Sequence, residues 1–342
     1  MATGTGLDAQ LGFKLESTFG TAVTVDKFIE FDSESITWQP TFIEPTGLRV
    51  GTKAKRASRL VQSRQTVGGD VSFQFATRTM GTLVKAALGS AVTSPTLVLG
   101  SAYKQVHFPG DFLTKSLTVQ VGRPEPGGTV RAHTYAGCKV TSWEFSVSDG
   151  ETAQLSLTLD GRSEATATAL ATATFVSAEV FNFSNVITFK LGGTPSTSGG
   201  EISIAGGVSV PGVVRGFTLS GETPMANERF GLGNAGLKNE QLENDTPTWT
   251  GSIEAEWDRT TFYDAFKANT TTALELKMEG SVISGTDKNT CHFVIPALKF
   301  KNSPFNVGGP DIVAGSVDFE VYSNEVDAPL MWKLISADSA AL

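Results

Sequence analysis

One unit, a glycine-led strand running into a short helix, is written twice in this chain, and that repetition limits the fold more than any bulk property does. Val67-Gly68-Gly69 opens a run in which Val71, Phe73 and Phe75 alternate with Asp70, Ser72, Gln74 and Ala76, the period of a strand with one buried face. From Thr79 the period changes, and Met80, Leu83, Val84, Ala87 and Leu88 recur at helical spacing up to Gly89, a C-terminal stop. Much later Thr250-Gly251 opens a second strand, Ser252 to Trp257, in which Ile253, Ala255 and Trp257 alternate with Ser252, Glu254 and Glu256. A helix pattern follows it from Asp258 or Arg259 through Phe262, Tyr263 and Phe266 to about Ala268. The step between strand and helix carries Arg78-Thr79 in one case and Arg259-Thr260 in the other.

The flanks extend the repeat. Phe181 to Phe189 echoes Phe28 to Trp38, and Val140, Trp143 and Phe145 match Ile295, Leu298 and Phe300 at constant spacing. Further strands are expected at Tyr103 to Phe108, Lys115 to Gly122, Val130 to Tyr135, Cys138 to Val147, Thr152 to Leu159, Val213 to Ser220, Leu274 to Gly280, Cys291 to Phe300 and Ile312 to Tyr322, separated by Gly- and Pro-bearing turns. The organisation read from this is an extended N-terminal arm at 1–27, a β domain at 28–164, an Ala- and Thr-rich linker at 165–180, and a second β domain at 181–342. The second domain carries a Gly- and Ser-rich insertion at 192–207 and a C-terminal extension. Only 18% of the 342 residues are charged, while Thr, Ser, Val, Gly and Phe abound. The expected class is therefore all-β with minor helix: two tandem β domains, each with one flanking short α-helix and a long loop.

The two long loops occupy equivalent places and carry opposite charge. The first, entered at Glu44, has Arg49, Lys53, Lys55, Arg56, Arg59 and Arg64 and no acidic residue before Asp70. The second, Glu222 to Pro247, has Glu222, Glu228, Glu240, Glu243 and Asp245 against Arg229 and Lys238. Opposite patches in register suit contact between copies of the chain, because complementary potentials guide assembly. The net charge of -8 argues against a surface built to hold nucleic acid.

Residues that would carry chemistry do not assemble into a site. Gly231-Leu232-Gly233-Asn234-Ala235-Gly236 spells a dinucleotide fingerprint but lies inside a loop, without the strand and helix that the fingerprint needs. His107, His133 and His292 stand apart, and Cys138 and Cys291 read as buried thiols rather than a disulfide framework. Neither catalysis nor a cofactor nor a metal is expected. No apolar run reaches the ~20 residues of a spanning helix, and the expectation is a soluble protein made in the cytosol.

Short motifs in order resemble one family. Gly12-Phe13-Lys14-Leu15-Glu16-Ser17-Thr18-Phe19-Gly20-Thr21-Ala22, the step Glu44-Pro45-Thr46-Gly47-Leu48-Arg49 and Val67-Gly68-Gly69-Asp70 resemble the major tail tube proteins of long-tailed, siphovirus-type bacteriophages. The second half is similar in Leu219-Ser220-Gly221-Glu222-Thr223-Pro224-Met225, in Thr250-Gly251-Ser252 and in Gly308-Gly309-Pro310-Asp311-Ile312-Val313. The resemblance implies tail-tube-type β-sandwich or half-barrel domains, rings stacked into a hollow tube, and phage DNA passing through the lumen. It implies a virion location in the tail, assembly in the bacterial host cytoplasm, and tape measure, terminator and distal tail proteins as partners. Duplication in one chain suggests homotrimeric pseudo-sixfold rings, with homohexameric rings as the alternative. The polar strand faces that would line such a lumen are Asp70, Ser72 and Gln74, then Ser252, Glu254 and Glu256. A competing reading is a two-domain adhesin or carbohydrate-binding module, which would expose clustered aromatics; here the aromatics fall in alternating strands or on the short helices.

Overall fold

The structure, a computed structural model, describes residues 4–342. In chain order its first strands are β1 (Gln10–Leu15), β2 (Lys27–Ile29), β3 (Ser33–Glu34), β4 (Thr37–Ile43), β5 (Val61–Gln74), β6 (Thr96–Leu99), β7 (Ala102–His107), β8 (Leu117–Pro124), β9 (Val130–Ser148), β10 (Gln154–Gly161) and β11 (Ser163–Ala165). Helix α1 (Met80–Leu88) lies between β5 and β6. The later strands are β12 (Val186–Leu191), β13 (Thr194–Ser198), β14 (Glu201–Ala205), β15 (Val208–Ser209), β16 (Val214–Glu222), β17 (Met225–Ala226), β18 (Leu242–Glu243), β19 (Thr248–Glu256), β20 (Thr272–Ser284), β21 (Asp287–Phe300), β22 (Ala314–Val321) and β23 (Met331–Ser336). Between β19 and β20 a π-helical turn, Arg259–Tyr263, runs into helix α2 (Asp264–Lys267). The chain is all-β with minor helix.

Pairing is antiparallel, and its order runs twice. The first series is β1, β8, β9, β10, β5, β4. The second is β12, β20, β21, β22, β19, β16. Strand β9 is long enough to pair through its N-terminal part with β8 and through its C-terminal part with β10, so it turns the corner between the two layers of a sandwich. The register fixes the correspondence between series: Val140 pairs with Leu159 and Leu159 with Gly69, as Phe300 pairs with Phe319 and Phe319 with Gly251. Phe300 is therefore the counterpart of Val140. The constant spacing that matched Val140 with Ile295 slips because the connections around β20 and β21 differ in length from those around β8 and β9.

The two series are joined edge to edge. Ser142 to Ser148 of β9 pairs with Gly216 to Glu222 of β16, and β7 pairs with the C-terminal β23. One core spans the seam: Phe293 lies 4.5 Å from Trp332 and 4.8 Å from Phe145, ring centroid to centroid. Each such fully buried side chain contributes about 1.5–3 kcal/mol relative to exposure.

Several expectations change. The N-terminal arm is not a loose extension: β1 pairs along its length with β8 and buries Leu11 and Phe13. Few apolar residues suffice there because β8 supplies Val119 and Val121 beside them, and Gly12 admits Phe28 and Val25 where a Cβ would meet them at 2.7–2.8 Å. The stretch Phe28 to Trp38 is broken into β2, β3 and β4; Ser35 and Ile36 fall between β3 and β4 where their backbone crowds Gly69, so closely that a Cβ there would meet the Ile36 Cα at 2.6 Å. The insertion at 192–207 is a hairpin, β13 with β14, turned by Gly199-Gly200 at positive φ and burying Ile202. Trp257 is 49% exposed because β19 ends at Glu256; Phe262, in the π-helical turn, fills the core beside Phe300 at 5.6 Å. Helix α1 is buried along its whole length, with Asp338 of the C-terminal tail accepting from the Thr79 N–H and pairing with Arg78 at 3.0 Å.

Candidate functional site: a polar sheet face and two unequal loops

Eight strands, in the order β4, β5, β10, β9, β16, β19, β22, β21, form one continuous surface across the seam. Period-2 alternation gives it two chemically different faces. Toward the core it presents Phe73, Leu155, Phe145 and Leu219. On the other side, residues directly opposite one another make unbroken polar rows. One row is Gln74, Gln154, Ser146, Thr218, Ser252 and Asp318. The next is Ser72, Ser156, Glu144, Ser220, Thr250, Glu320 and, at the far edge, Lys299.

All six strand residues singled out in the sequence lie on this outer face. Asp70, Gln74 and Glu254 are exposed, and Ser72, Ser252 and Glu256 are half-buried. The rows are laced by short side-chain bonds: Thr158 Oγ1 donates to Asp70 Oδ1 at 2.8 Å, Ser156 Oγ to Ser72 Oγ at 3.3 Å, and Ser220 Oγ to Glu144 Oε2 at 3.1 Å. At the edge, hydrogen bonds from Lys301 and Tyr322 hold the Glu320 carboxyl below its usual range, so it stays ionised. The two rows are neutral to acidic, ending in Lys299 on β21, while Arg64 stands beyond them near the other end, on β5.

The two loops are built differently. Residues 44–60 extend the β4–β5 hairpin as an exposed excursion, with Leu48 and Val50 standing free at its tip. Arg49, Lys53 and Lys55 are exposed, Arg56 and Arg59 half-buried, and Lys55 pairs with Glu44 at 2.7 Å. Arg64 is not part of the loop but of β5, where strand pairing with Thr41 fixes it. Its guanidinium meets Glu228 at 3.0 Å and stacks over Phe230 at 4.8 Å within the same chain.

The loop at 223–247 is packed down on the first half. Lys139, fully buried on β9, pairs with Glu240 at 2.8 Å and donates to the Gln241 carbonyl at 2.8 Å. Burial lowers the Lys139 pKa, and Glu240 partly offsets that loss. Lys238, also fully buried, pairs with Asp160, which accepts from Gln241 Nε2 at 2.8 Å. Backbone bonds from Gln65 to Gly236 and from Thr223 to Thr141 close the seam. Glu243 accepts from the Phe112 N–H at 3.4 Å, while Asp245 is exposed and bonded to the Thr246 N–H. Sequence reasoning missed the Lys139, Asp160, Lys238 and Gln241 cluster. Its one signal is a lysine set between two apolar residues, Cys138 and Val140.

Among the described residues no group of three or more His, Cys, Asp or Glu is placed to hold a metal. Gly231 to Gly236 is part of the packed loop, and Cys138 and Cys291 are buried, with burial pushing both thiols up. What the geometry offers is an extended polar sheet face, a free edge at β4 and two unequal loops. Against this background, residues 6–321 match the family described as phage tail tube protein. The chain belongs to that family. Comparison with curated proteins finds no significant match. A tail tube protein is a structural component of the virion tail, and in such a protein the extended polar face and the free edge, rather than any pocket, are the parts to explain.

Proposed function

We propose that the chain is the tube-forming protein of a siphovirus-type tail: its copies close into rings that stack into a hollow tube, and the genome passes through the lumen during ejection. The observation that carries this is the eight-strand sheet, with a free edge at β4, one face apolar and the other a neutral-to-acidic lattice. A conduit for DNA must not hold it. Lys and Arg facing the duplex would displace counterions and bind it, whereas Ser, Thr, Gln and carboxylates leave a repelled, sliding cargo. Asp70, Ser72, Gln74, Ser252, Glu254 and Glu256 belong to that wall.

The doubled pairing order supports two tail-tube units per chain, so three chains fill six positions and the two units alternate around the channel. Closure then needs two kinds of junction, one within the chain and one between chains. Assembly takes place in the bacterial host cytoplasm, where the tape measure, terminator and distal tail proteins meet the tube. A reconstruction of tubes grown from the purified chain tests this. Three chains per ring with the polar rows inside is the expected result. Six whole chains per ring would overturn the pseudo-sixfold arrangement, and a lumen lined by lysine and arginine would overturn the sliding wall.

A further inference from the structure

We propose that the junction between successive chains copies, residue for residue, the junction between the two halves of one chain; this rests on the ring reading above. The template is the seam at which β16 adds to the outer edge of β9, with Leu219 opposite Phe145, Ser220 opposite Glu144 and Glu222 opposite Ser142. In the first half the place of β16 is taken by β3 and β4. Thr37 faces Gly68 as Ser220 faces Thr250, and Ile36 lies against Gly69 as Leu219 faces Gly251.

In the second half the place of Ser142 to Ser148 is taken by Asn302 to Gly308. Phe305 lies against Gly315, which pairs with Ala255, just as Phe145 pairs with Leu155 and Leu155 with Phe73. Asn302 to Gly308 belongs to no strand, and Val307 is 80% exposed. This is a strand position without its neighbour. Pro304 within it blunts the edge against indiscriminate pairing. Transferring the template puts Ile36 of one chain opposite Phe305 of the next, Thr37 opposite Pro304 and Gln39 opposite Asn302, antiparallel.

The same transfer places the exposed loop. Within the chain, the loop after β16 carries Lys238 onto Asp160, the residue after Leu159. The residue after Phe319, the counterpart of Leu159, is Glu320. Between β4 and β5 the position of Lys238 falls at Lys55 or Arg56. The basic loop of one chain therefore sets Lys55 or Arg56 on Glu320 of the next, a carboxylate that Lys301 and Tyr322 already keep ionised. The second copy is favoured as occupant by charge and by shape alike: the loop is basic, its landing site acidic, and the docked loop at 223–247 shows the pose.

Two sets of variants test it. Lys55→Glu with Arg56→Glu, and separately Glu320→Lys, should each cut tube yield about tenfold or more, and the triple variant should restore it. For the register, Thr37→Cys with Pro304→Cys should give disulfide-linked ladders ending at three chains under a mild oxidant, because directly opposed residues in an antiparallel pair lie within disulfide reach. Thr37→Cys with Gly308→Cys, four residues away along the strand, should stay monomeric on a non-reducing gel; the native thiols are buried. Tubes that form normally while Thr37→Cys/Pro304→Cys fails to link overturn the register and leave the tube reading standing. Absence of rescue in the triple variant overturns the loop contact. Wild-type chains that never associate overturn the tube reading and this inference with it.

Discussion

Two loops in equivalent places, 44–60 and 223–247, meet opposite fates in the same chain. Both leave a strand that faces a glycine-led partner, and both are too long to be simple turns. The second is held by two fully buried lysines, Lys139 and Lys238, each with a carboxylate, and by backbone bonds across the seam. The first has one exposed ion pair, Lys55 with Glu44, and a tip of bare Leu48 and Val50. Length and polarity do not separate them. What does is that the second finds its wall in its own chain, whereas the first lies against little of its own chain. Order in a loop is a property of what it lies against.

The largest expected effect compares the two repeated strands that support these loops. Phe73 is fully buried and Trp257 is half exposed. Phe73→Ala should therefore cost about 3–5 kcal/mol through lost transfer energy and a cavity, while Trp257→Ala stays within about 0.5 kcal/mol as a surface change. Urea denaturation of both variants checks this, and equal losses would mean that the second strand continues into the core beyond Glu256. The next effect contrasts Lys238 with its counterpart. Lys238→Met strands Asp160 beside Gln241 and should cost about 2–3 kcal/mol, less than for a wholly buried pair because Asp160 retains some solvent. Lys55→Met should leave the stability of the free chain unchanged. A measurable loss at Lys55 in the monomer would show that the first loop is already docked.

A kinetic contrast follows at lower energy. Trypsin should cut the isolated chain first within 49–59, where exposed Arg49, Lys53 and Lys55 sit on backbone with few hydrogen bonds, and spare Lys238. In assembled tubes the cleavage at 49–59 should slow. Equal cleavage of the two loops, read by mass spectrometry of early fragments, would erase the distinction between them.

Much of the frame was legible in the sequence because alternation and helical period are local signals. Val71, Phe73 and Phe75 announce β5, and Gly89 at φ +60° ends α1 where the sequence places a stop. Pairing partners are not local. Nothing in Gln10 to Leu15 says that β8 waits to cover it, and nothing in Tyr103 to Phe108 says that its neighbour is a strand at 331–336. The Gly199-Gly200 turn between Thr- and Ser-rich arms is a hairpin signal, masked in the sequence by low hydrophobicity. At the candidate site the strand faces were readable residue by residue, because side-chain direction follows from period alone. The fate of the acidic loop was not, since Lys139 and Asp160, its anchors, lie far from it in sequence.

The smallest effect concerns an asymmetry that has no counterpart in the first half, the β13–β14 hairpin. Glu201 on β14 takes Lys104 of β7 and Lys333 of β23, at 2.5 and 2.7 Å. Burial pushes its pKa up, but the bonds from the two lysines outweigh that and leave it below the usual value. A carboxyl whose folded pKa lies under its unfolded one contributes stability above the unfolded value of about 4.3, and that contribution fades as pH falls through the folded value. Glu201→Gln should therefore be less stable than the wild type at pH 7, and the two melting curves should converge as the pH drops below about 4. Parallel pH profiles would show the pair of lysines to be solvated neighbours and leave the hairpin held by Ile202, Ile204 and the Thr197 hydroxyl bonded to Asp327. Convergence would show that the second half fastens its insertion to β7 and β23 by charge, where the first half holds the shorter connection after β1 by hydrogen bonds, with buried Glu16 accepting from the Ser116 and Thr118 hydroxyls and the Gly137 N–H.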